Sequence, residues 1–314
     1  MRTEWVIHIW GKDRECLELT NQEKFHIHMI KNCDHTIFDK VLINIAMYDI
    51  NDENLFFFLK TELLNAFCDV KEVVDIRRCQ NDIYLCEYVT FRPYVWNRIG
   101  EDVRIFYSHF KGYVSNVRFL NNVYPKRNAI INEYYWSYLM YRMSLDGEYI
   151  NEMTKSFDSG KDIYCWCLFD ETNLEYILIP KEGDYITSFF RGIEENVPNI
   201  KNFYSKESMF IHSPGSFVWY DMKNIYNHIG TIIDDISLDS DILRSVGSTR
   251  HFCELFIWRF LKIENIQEQT FINNMKNQFI DIKNDIYTKI YCSKKICHKY
   301  IKDFDKYIIQ NKLI

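Results

Sequence analysis

The sequence has no run of about 18 apolar residues that could span a membrane, and no long apolar core near its N-terminus like that of a signal peptide. We therefore predict a cytoplasmic protein without a transmembrane segment, and peripheral contact with the inner face of a membrane stays open. Long blocks of Lys and Arg are also absent, and the net charge is −6. This charge argues against nonspecific nucleic-acid binding, which needs clustered basic residues.

Motifs of several common enzyme classes are missing. The chain contains neither a GxxxxGK[ST] phosphate loop nor a paired-glycine dinucleotide fingerprint, so kinases, NTPases and dehydrogenases are not indicated. None of the 10 cysteines forms a CxxC pair, and neither Cys165-Trp166-Cys167 nor Cys292 with Cys297 has the spacing of a zinc site. We expect buried, reduced thiols of a cytosolic protein.

The composition is that of an ordered globular protein. Apolar residues make up 47% and charged residues 26% of the 314 residues, which is enough apolar material for one large domain. Aromatic residues are unusually frequent, with 23 Phe, 22 Tyr and 7 Trp. We expect most of these rings in the core, although sugar rings and nucleobases also stack on aromatic side chains.

Strand and helix patterns alternate along the first third of the chain. Apolar runs predict strands at residues 5–10, 41–48, 70–76, 82–89 and 103–107. Apolar residues at helical spacing predict helices at 21–33 and 55–67, the latter capped by the turn at 49–52, and Arg92-Pro93 is expected to begin a short helix. This alternation predicts an α/β fold with a mainly parallel sheet flanked by helices.

Later segments are expected to complete the same domain. We predict a helix at 132–145, strands at 163–169 and 176–179, a glycine turn within 209–219 and an apolar helix at 251–261. From residue 263 the chain is rich in Lys, Asn, Asp and Ile, with apolar residues at helical spacing. The predicted organisation is therefore one domain at 1–262 and a C-terminal helical extension at 263–314.

An apolar strand leads into a polar loop within Val103–Gly112. His109 can exchange protons near neutral pH, Lys111 carries a compact charge suited to phosphate, and Gly112 permits a turn or a close backbone approach. Open α/β sheets bind ligands at such strand ends. The loop is therefore a candidate diphosphate site, and the alternative is a surface turn with a charged tip.

A turn of small residues stands next to aromatic residues further along the chain. Ser213, Gly215 and Ser216 belong to this turn, and Phe217 and Trp219 follow it. Backbone groups of such a turn could bond sugar hydroxyls while a ring stacks on the sugar. The alternative is a tight hairpin above aromatic core residues.

Charged residues begin the apolar helix predicted at 251–261. Burial of Glu254 near a cleft would suit its carboxylate to general-base catalysis, and the alternative is a capping glutamate or a salt bridge to Arg250. Carboxylate pairs occur at Asp234-Asp235 and at Asp239-Ser240-Asp241. Asp239 lies in a polar, loop-like segment and not at the end of an apolar strand, so we read this DxD as turn and capping residues and predict no metal ligands. A divalent metal such as Mg²⁺ or Mn²⁺ stays possible, although no strand-end DxD supports it.

Four segments in order resemble a family of bacterial and viral glycosyltransferases for surface polysaccharides, related in pattern to the rhamnan-synthesis type. The loop Y-x-H-[ST]-K-G of that family is matched by Tyr107 to Gly112. The other matches are a helix with Trp136, Met140 and Tyr141, the segment His212 to Tyr220, and Arg250 and Glu254 with Trp258.

The resemblance implies a GT-A-like (Rossmann-like) fold that transfers a sugar from a nucleotide-sugar donor to a hydroxyl of a growing glycan. Lys111 and His109, with Gly112 in the same loop, would stabilise the leaving diphosphate without a metal, and Glu254 would activate the acceptor hydroxyl. The base of the donor would lie near Trp10 and Gly11. The acceptor would contact the following residues: Trp136, Ser213, Gly215, Ser216, Phe217, Trp219 and Arg250.

Three positions depart from the family pattern. Phe110 stands where a small hydroxyl residue is usual, Ser216 where asparagine is common, and Val218 separates two aromatic residues that are often adjacent. With the missing strand-end DxD, these differences leave a second hypothesis open, namely a binding module for nucleotide sugars or glycans that lacks turnover. A third hypothesis is another α/β enzyme, such as a phosphate-ester hydrolase whose acidic clusters bind a metal.

Overall fold

The computed structural model describes residues 1–110 except 83, 84 and 86, residues 137–165 except 139 and 143, and residues 217–230. These residues contain six strands of one sheet. In chain order the strands are β1 (Arg2–Gly11), β2 (Lys40–Met47), β3 (Val74–Gln80), β4 (Val103–His109), β5 (Ile163–Cys165) and β6 (Val218–Asp221).

The sheet is mixed but mostly parallel. Its order is β3-β2-β1-β4-β6-β5. The first four strands of this order are mutually parallel, whereas β6 is antiparallel to both β4 and β5. The predicted α/β fold with a mainly parallel sheet flanked by helices is therefore confirmed at this level.

Helices connect and cover the strands. They are α1 (Asn21–Lys31), α2 (Glu53–Ala66), α3 (Tyr88–Tyr94), α4 (Gly147–Asp158) and α5 (Met222–Ile229), with 3-10 turns at Lys71–Val73 and Trp96–Arg98. The described residues between 137 and 145 are also helical, as predicted. No helix in the described part of the chain is long and apolar enough to cross a bilayer.

Side-chain caps fix the starts of the first two helices. Thr20 and Glu23 form a reciprocal capping box at α1, in which Thr20 Oγ1 accepts from the Glu23 amide and Glu23 Oε2 accepts from the Thr20 amide. Asp52 caps α2 by accepting from the amide of Leu55 at 3.0 Å. Each cap is worth about 1 kcal/mol, and the second confirms the capping turn predicted at 49–52.

Alternate residues of each strand face opposite sides of the sheet. On one side, Trp5, Ile7 and Ile9 of β1 join a large apolar core that includes α1, α2 and α4. On the other side, His8 contacts Thr90 of α3. Helices therefore cover both faces, and the polar residues considered below lie on the α3 face.

Aromatic rings fill the larger core. Trp5 is fully buried, and its ring lies 5.2 Å from the Phe38 ring and 5.5 Å from the Phe106 ring. Its Nε1 donates to Ser108 Oγ at 2.8 Å, which satisfies the one polar atom of the indole. Many of the aromatic residues that the structure describes thus belong to the core, as the composition predicted.

Two sequence predictions around α3 are wrong. Residues 82–89 were predicted to form a strand, but their described members form a turn that enters α3 at Tyr88. Arg92 and Pro93 lie in the last turn of this helix rather than in its first. Short apolar runs fit either element, and the helix prevails here because buried Thr90 and Phe91 anchor it to the sheet.

Other predictions hold or differ by a few residues. The first two helices and strands β1, β2 and β4 lie where they were predicted, and β3 begins at Val74 after a 3-10 turn rather than at Val70. Cys16 and Cys68 are exposed free thiols, which corrects their expected burial. The predicted elements at 176–179, 251–261 and 263–314 lie outside the described residues, so the proposed domain boundary stays a prediction.

Candidate functional site

The carboxyl ends of four parallel strands form one edge of the sheet, and the strand order reverses there. After β1 the chain builds β2 and β3 on one side, and it then returns to place β4 on the other side of β1. A crevice forms outside such a reversal because the connecting helices cover opposite faces. Trp10, Gly11 and His109, three of the predicted site residues, lie at this edge.

His109 is the last residue of β4 and is the register partner of His8 in β1. Both residues are buried, with 5% and 6% of their surface exposed. Nδ1 of His109 lies 3.3 Å from Oε2 of Glu87, which directly precedes α3. The two atoms are within ion-pair distance, although they do not meet hydrogen-bond geometry. The predicted catalytic histidine therefore lies beside a carboxylate at the strand ends.

Thr90 connects α3 to two strands beneath this pair. Its Oγ1 lies 2.7 Å from His8 Nδ1 and accepts a 2.8 Å hydrogen bond from Asn44 Nδ2. Burial lowers the pKa of His8 from 6.5 to about 4; the Glu87 carboxylate opposes this shift and His109 adds to it. His8 is therefore neutral at pH 7, so its Nδ1 can accept the proton of the Thr90 hydroxyl.

Trp10 presents an aromatic surface at the same edge. Its side chain is 39% exposed, the Nζ of Lys12 lies 4.4 Å from its ring centroid, and the ring of Tyr48 meets it edge-on at 5.9 Å. Tyr48 follows β2 directly, and Gln80 at the end of β3 donates to its carbonyl oxygen. The carboxyl ends of three neighbouring strands therefore support one exposed aromatic pair with an ammonium group above it.

Gly11 has a packing role. It is buried, and a Cβ atom at this position would lie 3.1 Å from Ile45 Cγ2, 3.1 Å from Met47 Cγ and 3.5 Å from Leu59 Cδ1. A larger residue would have to push the Ile45 and Met47 side chains back by a few tenths of an ångström, so glycine suits this close packing of β1 on β2 and α2. The sequence analysis expected Gly11 to bind the donor, whereas the structure gives a reason for glycine that involves no ligand.

Phe217 and Trp219 do not provide the expected acceptor platform. They are 0% and 1% exposed, and both belong to the large core. The Trp219 ring stacks on Phe106 at 5.0 Å, and its Nε1 donates to the carbonyl oxygen of Ser144 at 2.9 Å. Their role as a sugar-binding surface is therefore corrected, because side chains of the core cover these rings.

Phe110 follows His109 and packs on the core side of β4. Its ring stacks on that of the fully buried His26 in α1, with centroids 4.6 Å apart and an angle of 11° between the planes. Nδ1 of His26 also lies 3.1 Å from the hydroxyl of Tyr141. A small hydroxyl residue could not make this stack, so Phe110 anchors the end of β4 to α1.

Three of the four segments that carried the family resemblance meet in space. Tyr107 in β4 is the register partner of Val218 in β6, which connects the first segment with the third. The ring of Phe217 lies 5.0 Å from that of Tyr141, in the helical segment, and 6.4 Å from that of His109. The described members of these segments thus surround the end of β4.

The remaining predicted site residues lie outside the described residues. They are Lys111, Gly112, Trp136, Ser213, Gly215, Ser216, Arg250 and Glu254, together with the acidic pair Asp239 and Asp241. Within the ranges that the structure covers, no group of three His, Cys, Asp or Glu side chains could hold a metal ion.

Sequence reasoning missed Glu87, His8, Thr90, Asn44 and Tyr48. Glu87 fell within the segment wrongly predicted as a strand, and His8 and Asn44 are single polar residues within the apolar runs of β1 and β2. Their position within those strands was the available sign, since a polar side chain on a buried strand needs a partner.

No family model, no curated protein and no solved structure matches the chain.

Proposed function

We propose that the protein is a glycosyltransferase that moves a sugar from a nucleotide-sugar donor to a hydroxyl of a growing surface glycan, in the cytoplasm or at the inner face of a membrane. The observation that carries this proposal is the position of His109 and Trp10 at the carboxyl ends of two neighbouring parallel strands, where the strand order reverses. A nucleotide with its diphosphate needs an aromatic surface and a polar group within one crevice, and this edge offers both.

The chemistry assigns a role to each predicted group. The bond between the anomeric carbon and the diphosphate oxygen breaks, and the diphosphate leaves with the electron pair. The acceptor oxygen forms the new bond to that carbon, and its proton passes to the Glu254 carboxylate. Lys111 and His109 counter the charge that develops on the diphosphate, so the reaction proceeds without a metal.

Covalent connectivity supports the pairing of His109 with Lys111. The two residues are separated by Phe110 alone, so their Cα atoms lie within about 8 Å of each other whatever the backbone conformation. Phe110 is fixed by its stack on His26, which limits where the next residue can begin. Gly112 follows Lys111 in the sequence and would allow a close approach of the backbone to the diphosphate.

Trp10, Tyr48 and Lys12 are the proposed binding surface for the nucleotide. Base stacking on an aromatic side chain contributes about 1–3 kcal/mol, and an ammonium group nearby suits the phosphates that follow the base. The order β3-β2-β1-β4 with an antiparallel β6 beside β4 supports the GT-A-like fold that the resemblance implied.

The test is nucleotide-diphosphate release from a panel of nucleotide sugars, with and without Mg²⁺ or Mn²⁺. We expect release without added metal, and roughly tenfold weaker donor binding in Trp10→Ala and Lys111→Ala. The matched controls are Phe57→Ala, which removes an aromatic ring that is 58% exposed on α2, and Lys71→Ala, which removes an exposed ammonium group. Glu254→Gln should keep donor binding and slow transfer by roughly a hundredfold.

Several outcomes would contradict the proposal. Turnover of Lys111→Ala and Glu254→Gln at the parent rate would show that the site is misplaced. Release that depends on metal and is lost in Asp239→Asn would contradict the metal-free mechanism and favour the hypothesis of a metal-dependent hydrolase. Equal loss of binding in Trp10→Ala and Phe57→Ala would show that the nucleotide does not bind at the proposed surface.

A second candidate is a nucleotide-sugar- or glycan-binding module of the same fold that lacks turnover. The burial of Phe217 and Trp219 favours it, because the two rings expected to hold the acceptor are enclosed in the core. The same assay separates the candidates. Donor binding without diphosphate release or transfer to any glycan acceptor would select the binding module.

A further inference from the structure

We propose that Glu87 is a positioning residue for His109. Its carboxylate holds the imidazole with a proton on Nδ1, which leaves Nε2 as the nitrogen that acts on the reacting groups. The pairing itself is independent of the reaction, whereas what Nε2 does rests on the proposed glycosyl transfer. Glu87 would act through His109 and would not touch the substrate.

Glu87 is held in place by the helix that it precedes. It has helical backbone angles (φ −65°, ψ −19°), and its side chain makes no capping hydrogen bond to α3. Thr90, three residues later and therefore on the same side of the helix, is bonded to both β1 and β2. These contacts fix α3 against the sheet, so the carboxylate is directed at the end of β4.

The contact has the features of a carboxylate that orients a histidine. The side chains of His109 and Glu87 are only 6% and 15% exposed, and Nδ1 and Oε2 are 3.3 Å apart. The partner of one ring nitrogen decides which nitrogen carries the proton. Contacts of this kind are often long in the free protein and shorten when substrate binds.

The charge of the cluster fits this assignment. His8, the neighbour of His109 across the strand pair, interacts with both Glu87 and His109 and is neutral because it is buried. A protonated His109 would therefore be the one charged imidazole beside Glu87 in this pair of histidines. With Nδ1–H directed to Glu87, the Nε2–H of that imidazolium is the group that can donate to an oxygen of the leaving diphosphate.

Nitrogen NMR of the full chain with ¹⁵N-labelled histidine tests the pairing directly. His109 resonances are assigned by their loss in His109→Gln, and long-range proton–nitrogen correlations report which ring nitrogen is protonated at neutral pH. We expect Nδ1 to be protonated in the parent protein, either alone or together with Nε2 in the imidazolium. In Glu87→Leu, which has a similar size and no acceptor, we expect the proton to move to Nε2 or to be shared between both nitrogens.

Turnover provides the functional measurement. Glu87→Leu and Glu87→Gln should lower kcat for nucleotide-sugar turnover roughly ten- to hundredfold, with little change in KM, because the effect of positioning appears in the transition state. Glu87→Asp should recover part of the loss, since it keeps the charge. Glu72→Gln, which changes an exposed glutamate in the 3-10 turn before β3, is the matched control and should behave like the parent.

Each result decides one proposal. A parent spectrum with the His109 proton on Nε2 alone overturns the positioning role, and this spectrum needs no variant that could fail to fold. Parent-like kcat in Glu87→Gln and Glu87→Leu, in a protein that does turn over nucleotide sugars, overturns it as well. A proton on Nδ1 that depends on Glu87, in a protein without any turnover, supports the pairing while the proposed transfer fails.

Discussion

His8 illustrates how one residue of an apolar strand can make the whole protein sensitive to pH. Its ring is buried on the α3 face, near Glu87 and His109, and its pKa is lowered to about 4 mainly by loss of solvation. In the unfolded chain the same histidine would titrate near 6.5. Between these two values the unfolded state binds a proton that the folded state does not bind, so acid favours unfolding.

We predict that the contribution of His8 to stability is complete above pH 6.5 and falls as the pH drops to about 4. The loss should reach about 3 kcal/mol, since one pKa unit corresponds to about 1.4 kcal/mol. Urea unfolding of the parent and of His8→Asn between pH 7 and pH 4 measures it. The free energy of unfolding should fall less steeply with pH in His8→Asn, and identical slopes would contradict the assigned pKa.

Among the individual site residues, the sequence revealed those at strand ends and missed those whose roles depend on tertiary packing. His109 and Trp10 were found because each stands at the end of a recognisable apolar strand, next to a glycine or a charge. Glu87 and Thr90 were missed because their roles depend on where α3 docks. Phe217 and Trp219 were misread because aromatic residues beside a turn of small residues fit both a core and a sugar surface.

At the scale of elements, β1, β2 and α2 pack closely where β1 has a glycine, which has no side chain. Gly11 ends β1, and the space where its Cβ would lie is filled from two sides by Ile45 and Met47 of β2 and from a third by Leu59 of α2. The nucleotide surface proposed for Trp10 and Tyr48 stands directly on this junction. A disturbance of the junction should therefore affect stability and donor binding together.

We predict that Gly11→Ala lowers the free energy of unfolding by about 1–3 kcal/mol, because a methyl group must displace packed core side chains. Gly147→Ala at the start of α4 is the control, since a Cβ there meets nothing within 4 Å, and it should be neutral or stabilise by up to about 1 kcal/mol. Chemical denaturation of both variants makes the comparison. Equal stability of Gly11→Ala and the parent would show that the surrounding side chains move aside without a measurable loss of stability.

Element boundaries were predictable to different degrees for physical reasons. The first two helices carry capping residues and long apolar periodicity, so their bounds agree with the sequence to within two residues. Helix α3 has seven residues and a proline in its last turn, which leaves too little periodic signal to separate it from a strand. Its docking, rather than its intrinsic preference, makes it a helix.

At the scale of the molecule, the central strands of the sheet are the most completely paired and buried. β1 is bonded to β2 on one side and β4 on the other, and its residues between Trp5 and Ile9 are buried. β3 lies at an edge of the sheet order, and its residues are partly or fully exposed. The alternation of strands and helices predicted the parallel half of this sheet, but the antiparallel insertion of β6 needs tertiary pairing that no local pattern encodes.

We predict a matching gradient of hydrogen exchange in the native protein. Backbone amides of Ile7 and Ile9 should exchange only through global unfolding, whereas those of Arg77 and Arg78 should exchange through local opening and at least tenfold faster. Amide exchange followed by NMR at neutral pH measures both sets. If the amides of β3 exchanged as slowly as those of β1, another part of the protein or another molecule would have to cover this edge strand.

The antiparallel pairing of β6 with β4 has a consequence for chain entropy. Partners Trp5 and Val41 of β1 and β2 are 36 residues apart, whereas Tyr107 and Val218 are 111 residues apart. Because the cost of closing a loop grows only with the logarithm of its length, the longer closure costs about 1 kcal/mol more, and another doubling would add about 0.6 kcal/mol. The large sequence separation of β4 and β6 therefore adds little to the free-energy cost of their pairing.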